Sequence, residues 1–223
     1  MTTNDSSSRT LTTLTWVPEF ARGLVRDLRV RWALEEAGLT YQIELVDFEE
    51  KKLASYRSMQ PFGQVPVYQD GDLTLFESGA IVHHIAFGSP ALMPRDEAGR
   101  SRTLVWMFAA LNTVEPTVMA LCEIDLFNAD ASWVNERRPA VVARLQTHLA
   151  DLDRALEGRD YLLRQFTVAD ILMATVLNSL RHTQLVAAYP ALHAYHQRCN
   201  GRPAARKTLA DQLALYANAR APG

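Results

Sequence analysis

Apolar and polar residues change their period once along this chain. Up to about residue 87, short alternating runs are interleaved with helical ones; from about residue 101 the apolar positions recur at helical spacing almost to the end. In the first part, Leu11 to Trp16 is rich in β-branched residues and reads as a strand. The segment from about Arg22 to Ala37 has helical spacing and stops at Gly38, a residue suited to a helix C-terminus. Tyr41 to Leu45 alternates as a second strand, and a strand-helix-strand crossover this short predicts a parallel pair with a right-handed connection. Lys51 to Met59 fits a short helix. Val67 to Gln69 and Leu73 to Phe76 flank Asp70-Gly71, a hairpin signal because both residues tolerate positive φ. The second hairpin strand runs into Glu77 to Ile85, apolar at helical spacing, with Ser78 as the expected N-cap.

The stretch from Gly88 to Gly99 is rich in proline and glycine and reads as a linker. Beyond it helices are expected from about Ser101 to Ala217, with breaks near 128–132, 157–160, 187–190 and 200–203. Phe166 to Ile171 carries the clearest local signal. Thr167 caps a helix, Asp170 three residues on completes a capping box, and Phe166 can pack on Ile171 as a hydrophobic staple. The residues that follow are apolar on most faces, which predicts a helix buried at the axis of its domain. The expected fold is therefore a βαβ-ββα thioredoxin-like domain over residues 11–87, a linker over 88–100 and an all-α helical domain over 101–223, after a disordered 1–10.

Composition narrows the partners. The chain has 223 residues, 48% hydrophobic and 22% charged, with a net charge of −2, which argues against a general nucleic-acid or membrane surface. No uninterrupted apolar run reaches the roughly 18 residues of a membrane span, and the polar N-terminus has no signal-peptide core, so a cytoplasmic location is expected. Cys122 and Cys199 stand alone, without CxxC or metal-ligand spacing; buried structural cysteines and no metal site are expected.

The candidate chemistry lies in Pro61-Phe62-Gly63-Gln64-Val65-Pro66-Val67 and, ten residues on, Phe76-Glu77-Ser78-Gly79-Ala80-Ile81. Proline has no N–H to give a central strand, so Pro66 marks an edge, a bulge or a turn. A cis bond there would turn the N–H and C=O of Val65 outward, where an extended ligand can pair with them. At the start of the following helix, open amides and the positive end of the dipole would take a ligand carboxylate while Glu77 takes an ammonium. The two segments together suit a short peptide with a free amine and carboxylates.

Gln64-Val65-Pro66 with Glu77-Ser78 resembles the glutathione-binding signature of the cytosolic glutathione transferases, and the similarity runs from about Leu11 to about Tyr216. It implies that the Val65 backbone pairs with the cysteinyl part of glutathione beside Pro66. It further implies that Glu77 and Ser78 hold the γ-glutamyl end and that Gln64 contacts the glycyl carboxylate. A homodimer is implied as well. The family usually stabilises the glutathione thiolate with a Tyr, Ser or Cys at the end of the first strand or the start of the first helix. From Trp16 to Leu39 this chain has no Ser, Thr, Tyr, Cys, His or Asn. Lowering a thiol pKa of about 8.5 by two units takes about 2.7 kcal/mol of anion stabilisation. Three substitutes are open: Arg22, the backbone amides around Phe20 to Gly23 at the expected helix start, and Thr15, ranked last because its direction depends on register.

A hydrophobic electrophile is expected between the domains, against Trp106, Met107 and Phe108, with Trp106 the chosen pocket residue. His83 and His84 are adjacent and point about 100° apart on a helix, so they do not share a site. The function expected is conjugation of glutathione to such an electrophile. Two rivals stay open: a noncatalytic binding or interaction module of this fold, and a glutathione-dependent reductase or lyase. The second is disfavoured because both cysteines lie in the second domain.

Overall fold

The structure, a computed structural model, describes residues 9–219 and 221. Most of the expected N-terminal disorder, residues 1–8, lies outside the described residues. Arg9 and Thr10 are ordered: Arg9 Nε pairs with Asp70 at 3.0 Å and Thr10 opens the first strand. The chain forms two compact units, one running up to Gly88 and rejoined from Lys207 onward, the other spanning Ser89–Arg206.

The first unit holds strands β1 (Thr10–Leu14), β2 (Gln42–Val46), β3 (Val67–Asp70) and β4 (Leu73–Phe76) in the order β2-β1-β3-β4. β1 and β2 are parallel, as the short crossover predicted, and the β1–β3 and β3–β4 pairs are antiparallel. Helix α1 (Asp27–Ala37) ends at Gly38 in the left-handed region with φ 68°, and it packs on α3 (Ser78–Phe87). Between β2 and β3 the expected helix shortens to a 3₁₀ turn, Glu50–Lys52, and a single α turn, α2 (Ala54–Arg57). The hairpin pairs Asp70 with Leu73, so its two loop residues are Gly71 and Asp72 rather than Asp70 and Gly71, and Gly71 alone takes a positive φ, 58°. One core cluster gathers Leu14, Val17, Val46, Tyr56, Val67 and Tyr216, with Val25 and Val65 packed against it.

Two features of this unit go beyond the sequence pattern. Asp27, Arg29 and Arg31 on α1 are all buried. Charged side chains are buried this fully when they are paired, and Arg31 Nε meets Asp27 at 2.6 Å. Helix α9 (Pro203–Tyr216) supplies the second feature. Its C-terminal part belongs to this unit, where Gln212 Nε2 donates to Asp27 at 2.7 Å and the Tyr216 hydroxyl lies 3.1 Å from that of Thr13.

The second unit contains α4 (Glu97–Phe108), α5 (Glu115–Cys122), α6 (Val134–Leu156), α7 (Val168–Asn178) and α8 (Pro190–Asn200). α4 and α5 form one run, Glu97–Phe127, joined through a π-helical segment, Ala109–Val114. Pro116 cannot donate to Asn112 and its ring crowds that carbonyl, which widens the turn before it. By length and composition this run could cross a membrane; its inner residues Thr103, Met107, Ala110 and Val114 are buried, and α4 packs on α7. α7 is buried from Val168 through Leu177 and packs against α4, α5 and α8, the axial role its all-round apolar sequence predicts. Its capping box forms as expected, with the Thr167 N–H on Asp170 at 2.8 Å. Cys122 and Cys199 are buried free thiols.

Candidate functional site

The turn that delivers Val65 is braced from below. Gly63 N–H closes on the Gln60 carbonyl at 3.0 Å, the buried Gln60 side chain accepts from Phe62 N–H at 2.7 Å, and Arg57 holds the Pro61 carbonyl at 3.0 Å. Gly63 sits at φ 62°, where a Cβ would come 3.0 Å from the Lys51 carbonyl, so glycine is required for both conformation and space. Tyr56 then donates its hydroxyl to the Gln64 carbonyl at 2.7 Å. Burial pushes the Tyr56 pKa up to about 12, which keeps this phenol a donor across the neutral range.

The Val65–Pro66 peptide is cis. The Val65 side chain packs against the core cluster, whereas its amide and carbonyl form no hydrogen bond among the described residues. An unbonded main chain with an anchored side chain can accept an extended ligand by strand addition. Gln64, next to it, is exposed.

Register brings the second segment alongside. Val67 pairs with Phe76, so Pro66 and Glu77 follow at the same end of the β3–β4 ladder. β4 ends at Phe76 and α3 begins at Ser78, which leaves Glu77 alone to turn the chain. It does so at φ 67°, ψ 111°, a region that favours glycine and costs other residues about 1–3 kcal/mol. Ser78 is therefore the first helical residue and Glu77 occupies the N-cap position, a correction to the expected N-cap. Glu77 is exposed and makes no capping hydrogen bond with its side chain. The first helical bond runs from Ile81 N–H to the Glu77 carbonyl, so the amides of Ser78, Gly79 and Ala80 have no partner within the helix.

Arg22 does not open the first helix. A 3₁₀ turn spans Glu19–Ala21, Arg22 follows in extended geometry at φ −61°, ψ 130°, and α1 starts only at Asp27. Gly23, at φ 77°, interrupts the helical spacing read from Arg22 onward. The expected run of helix-opening amides at residues 20–23 is also absent: Ala21 and Arg22 donate to the Pro18 and Glu19 carbonyls. Thr15 is exposed, with its N–H bonded to Val46. Tyr216 packs in the cluster that receives Val65, yet it is fully buried, so it serves the core.

Trp106 lies half-buried on α4, between the exposed Val105 and the buried Met107; Phe108 is exposed. The residues that the sequence did not single out are Tyr56 and Arg29, which act behind the site. Arg29 donates from α1 to Ser78 Oγ at 3.2 Å. A run of arginines on a helix carries no sign of which one is turned inward. Among the described residues no group of three or more His, Cys, Asp or Glu could hold a metal ion.

Comparison with known proteins places the chain in a family. Residues 21–87 match the glutathione S-transferase N-terminal domain and residues 135–198 the glutathione S-transferase C-terminal domain. Glutathione S-transferase 4 of Zea mays is 32% identical over 192 residues, covering 80% of this chain and 85% of its own. The probable glutathione S-transferase GSTF2 of Oryza sativa subsp. japonica is 33% identical, covering 78% and 86%. Among solved structures, a glutathione transferase from Burkholderia graminis with two glutathione molecules bound per subunit is 27% identical, covers 91% of this chain and 88% of that one, and has a TM-score of 0.77. A Pseudomonas fluorescens family member with two glutathione bound shares the fold at a TM-score of 0.80, with 23% identity and coverage of 92% and 94%. The chain belongs to the glutathione S-transferase family, with a thioredoxin-like first domain and a helical second one.

Proposed function

We propose that this protein is a glutathione transferase that joins the glutathione sulfur to a small hydrophobic electrophile. The observation that carries the reading is the Val65 main chain, open at the end of the β3–β4 ladder beside the strained Glu77 and the unpartnered amides of α3. In this reading Val65 pairs with the cysteinyl backbone, Pro66 sets its direction and Gln64 reaches the glycyl carboxylate. Glu77 takes the γ-glutamyl ammonium, and Ser78 with the first amides of α3 takes the adjoining carboxylate.

The reaction needs a thiolate and a positioned acceptor. The cysteinyl S–H gives its proton to solvent, and the sulfur lone pair forms a C–S bond as the leaving group departs with its electron pair. In an addition, the displaced pair goes to the acceptor and is protonated. No bond to the enzyme forms, so catalysis is positioning and charge stabilisation. Arg22 is the cation we assign to the thiolate; its support is a full charge on the segment leading into α1. Trp106 is assigned to the electrophile. The family resemblance supports a cytoplasmic homodimer that serves detoxification.

A glutathione titration followed by ultraviolet difference absorbance tests the reading. A thiolate band near pH 7 is expected, displaced to higher pH in Arg22→Ala. An unchanged thiol pKa in that variant removes Arg22 from the role, and absence of binding at millimolar glutathione removes the transferase reading.

A further inference from the structure

The geometry points to Arg29 as a positioning residue for glutathione: its bond to Ser78 Oγ turns the serine hydroxyl into a committed donor for the γ-glutamyl α-carboxylate. This rests on the glutathione reading above and assigns the group behind it.

Arg29 and Ser78 are each 5% exposed, and the guanidinium on α1 donates Nη1–H to Ser78 Oγ at 3.2 Å across the α1–α3 packing. Guanidinium offers donors only and stays charged, while a hydroxyl has one hydrogen to give and lone pairs to receive. With a lone pair on Arg29, the Ser78 hydroxyl can act further as a donor. Elsewhere in this chain helical hydroxyls place that hydrogen on a carbonyl one turn back, as Thr103 does on Gly99 at 2.9 Å and Thr175 on Ile171 at 2.8 Å. Ser78 is the first residue of its helix, so the position one turn back, Thr74, lies in β4. Among the described residues no acceptor takes the Ser78 hydroxyl hydrogen. That O–H adjoins the three unpartnered amides of α3, with the Arg29 charge behind them and Glu77 one residue away. Donors for a carboxylate thus adjoin an acceptor for an ammonium, the pattern that an α-amino acid terminus matches.

Calorimetric titration with two ligands decides it: glutathione, and 4-aminobutyryl-cysteinyl-glycine, which lacks only the γ-glutamyl α-carboxylate. Arg29→Met is expected to weaken glutathione binding about ten- to a hundredfold, the range for losing a hydrogen bond to a charged group, and to leave the analogue's affinity at the wild-type value. Ser78→Ala is expected to match it, and the double variant to lose no more than either alone. Arg29→Lys keeps the buried cation with a different reach; should Arg29→Met fail to fold, the same comparison is read from the lysine variant, where selective loss of glutathione is expected. Equal weakening of both ligands, no weakening, or additive losses overturn the proposal while leaving the glutathione reading in place. Failure of the unaltered protein to bind glutathione overturns both.

Discussion

The Tyr56 hydroxyl and the Gln64 carbonyl, 2.7 Å apart, tie the α2 turn to the residue immediately before the open main chain of Val65. The bond fixes a backbone group from inside the first unit and leaves the Val65 main chain open. Tyr56→Phe keeps the ring's packing and removes this donor. It is expected to cost about 1 kcal/mol in urea unfolding and to weaken glutathione binding several-fold by calorimetry. An unchanged affinity would show that the turn holds its shape without Tyr56.

Glu77 tests strain against function. Glu77→Gly removes a side chain from φ 67° and relieves about 1–3 kcal/mol, of which about 0.5–1 is returned as backbone entropy. Thermal unfolding is expected to shift upward by the equivalent of about 1 kcal/mol while glutathione affinity falls at least tenfold. Glu77→Ala is expected to lose the affinity without that stability gain. Loss of stability in the glycine variant would contradict the strain argument.

His196 gives a pH dependence that can be isolated. It is half-buried, its Nε2 lies 2.6 Å from Asn178 Oδ1, and desolvation, with His193 nearby, lowers its pKa from 6.5 to about 4. Between those values the unfolded chain binds a proton that the folded chain does not. The contribution is therefore complete above pH 6.5 and is lost as pH falls towards 4, by about 3 kcal/mol in all. His196→Gln is expected to flatten this part of the stability curve. Parallel curves for the two proteins from pH 7 to pH 4.5 would contradict the assignment.

The capping box separates folding from binding. The Asp170 carboxylate accepts from Leu162 N–H at 3.0 Å and Thr167 N–H at 2.8 Å, all buried. Thr167→Ala is expected to cost about 1 kcal/mol. Asp170→Ala, which strands two buried backbone donors and the Thr167 hydroxyl, is expected to cost about 3 kcal/mol or more. Both should leave the glutathione dissociation constant of the folded protein unchanged; a large change would give this box a part in the site.

Several features could be read from residues alone because their signals are local. The capping box needs four consecutive residues, the hairpin needs a glycine between alternating runs, and Pro66 rules out a central strand wherever it falls. The errors arose where distant elements set the geometry. Serine outranks glutamate as an N-cap, but the one-residue link between β4 and α3 forces Glu77 into that position. Helical spacing in the sequence extends back to Arg22, whereas Gly23 takes φ 77° and ends the pattern. The burial of Asp27, Arg29 and Arg31 depends on α3 and on a helix some 180 residues away, as the Gln212–Asp27 bond shows with a separation of 185. No window along the chain contains that information.

The most direct test of the central claim follows backbone amide resonances of the intact protein by nuclear magnetic resonance as glutathione is added. The Val65, Ser78 and Gly79 amides are expected to shift together and to exchange with solvent more slowly at saturation. Saturable binding that leaves all three unmoved would place glutathione elsewhere and contradict the account.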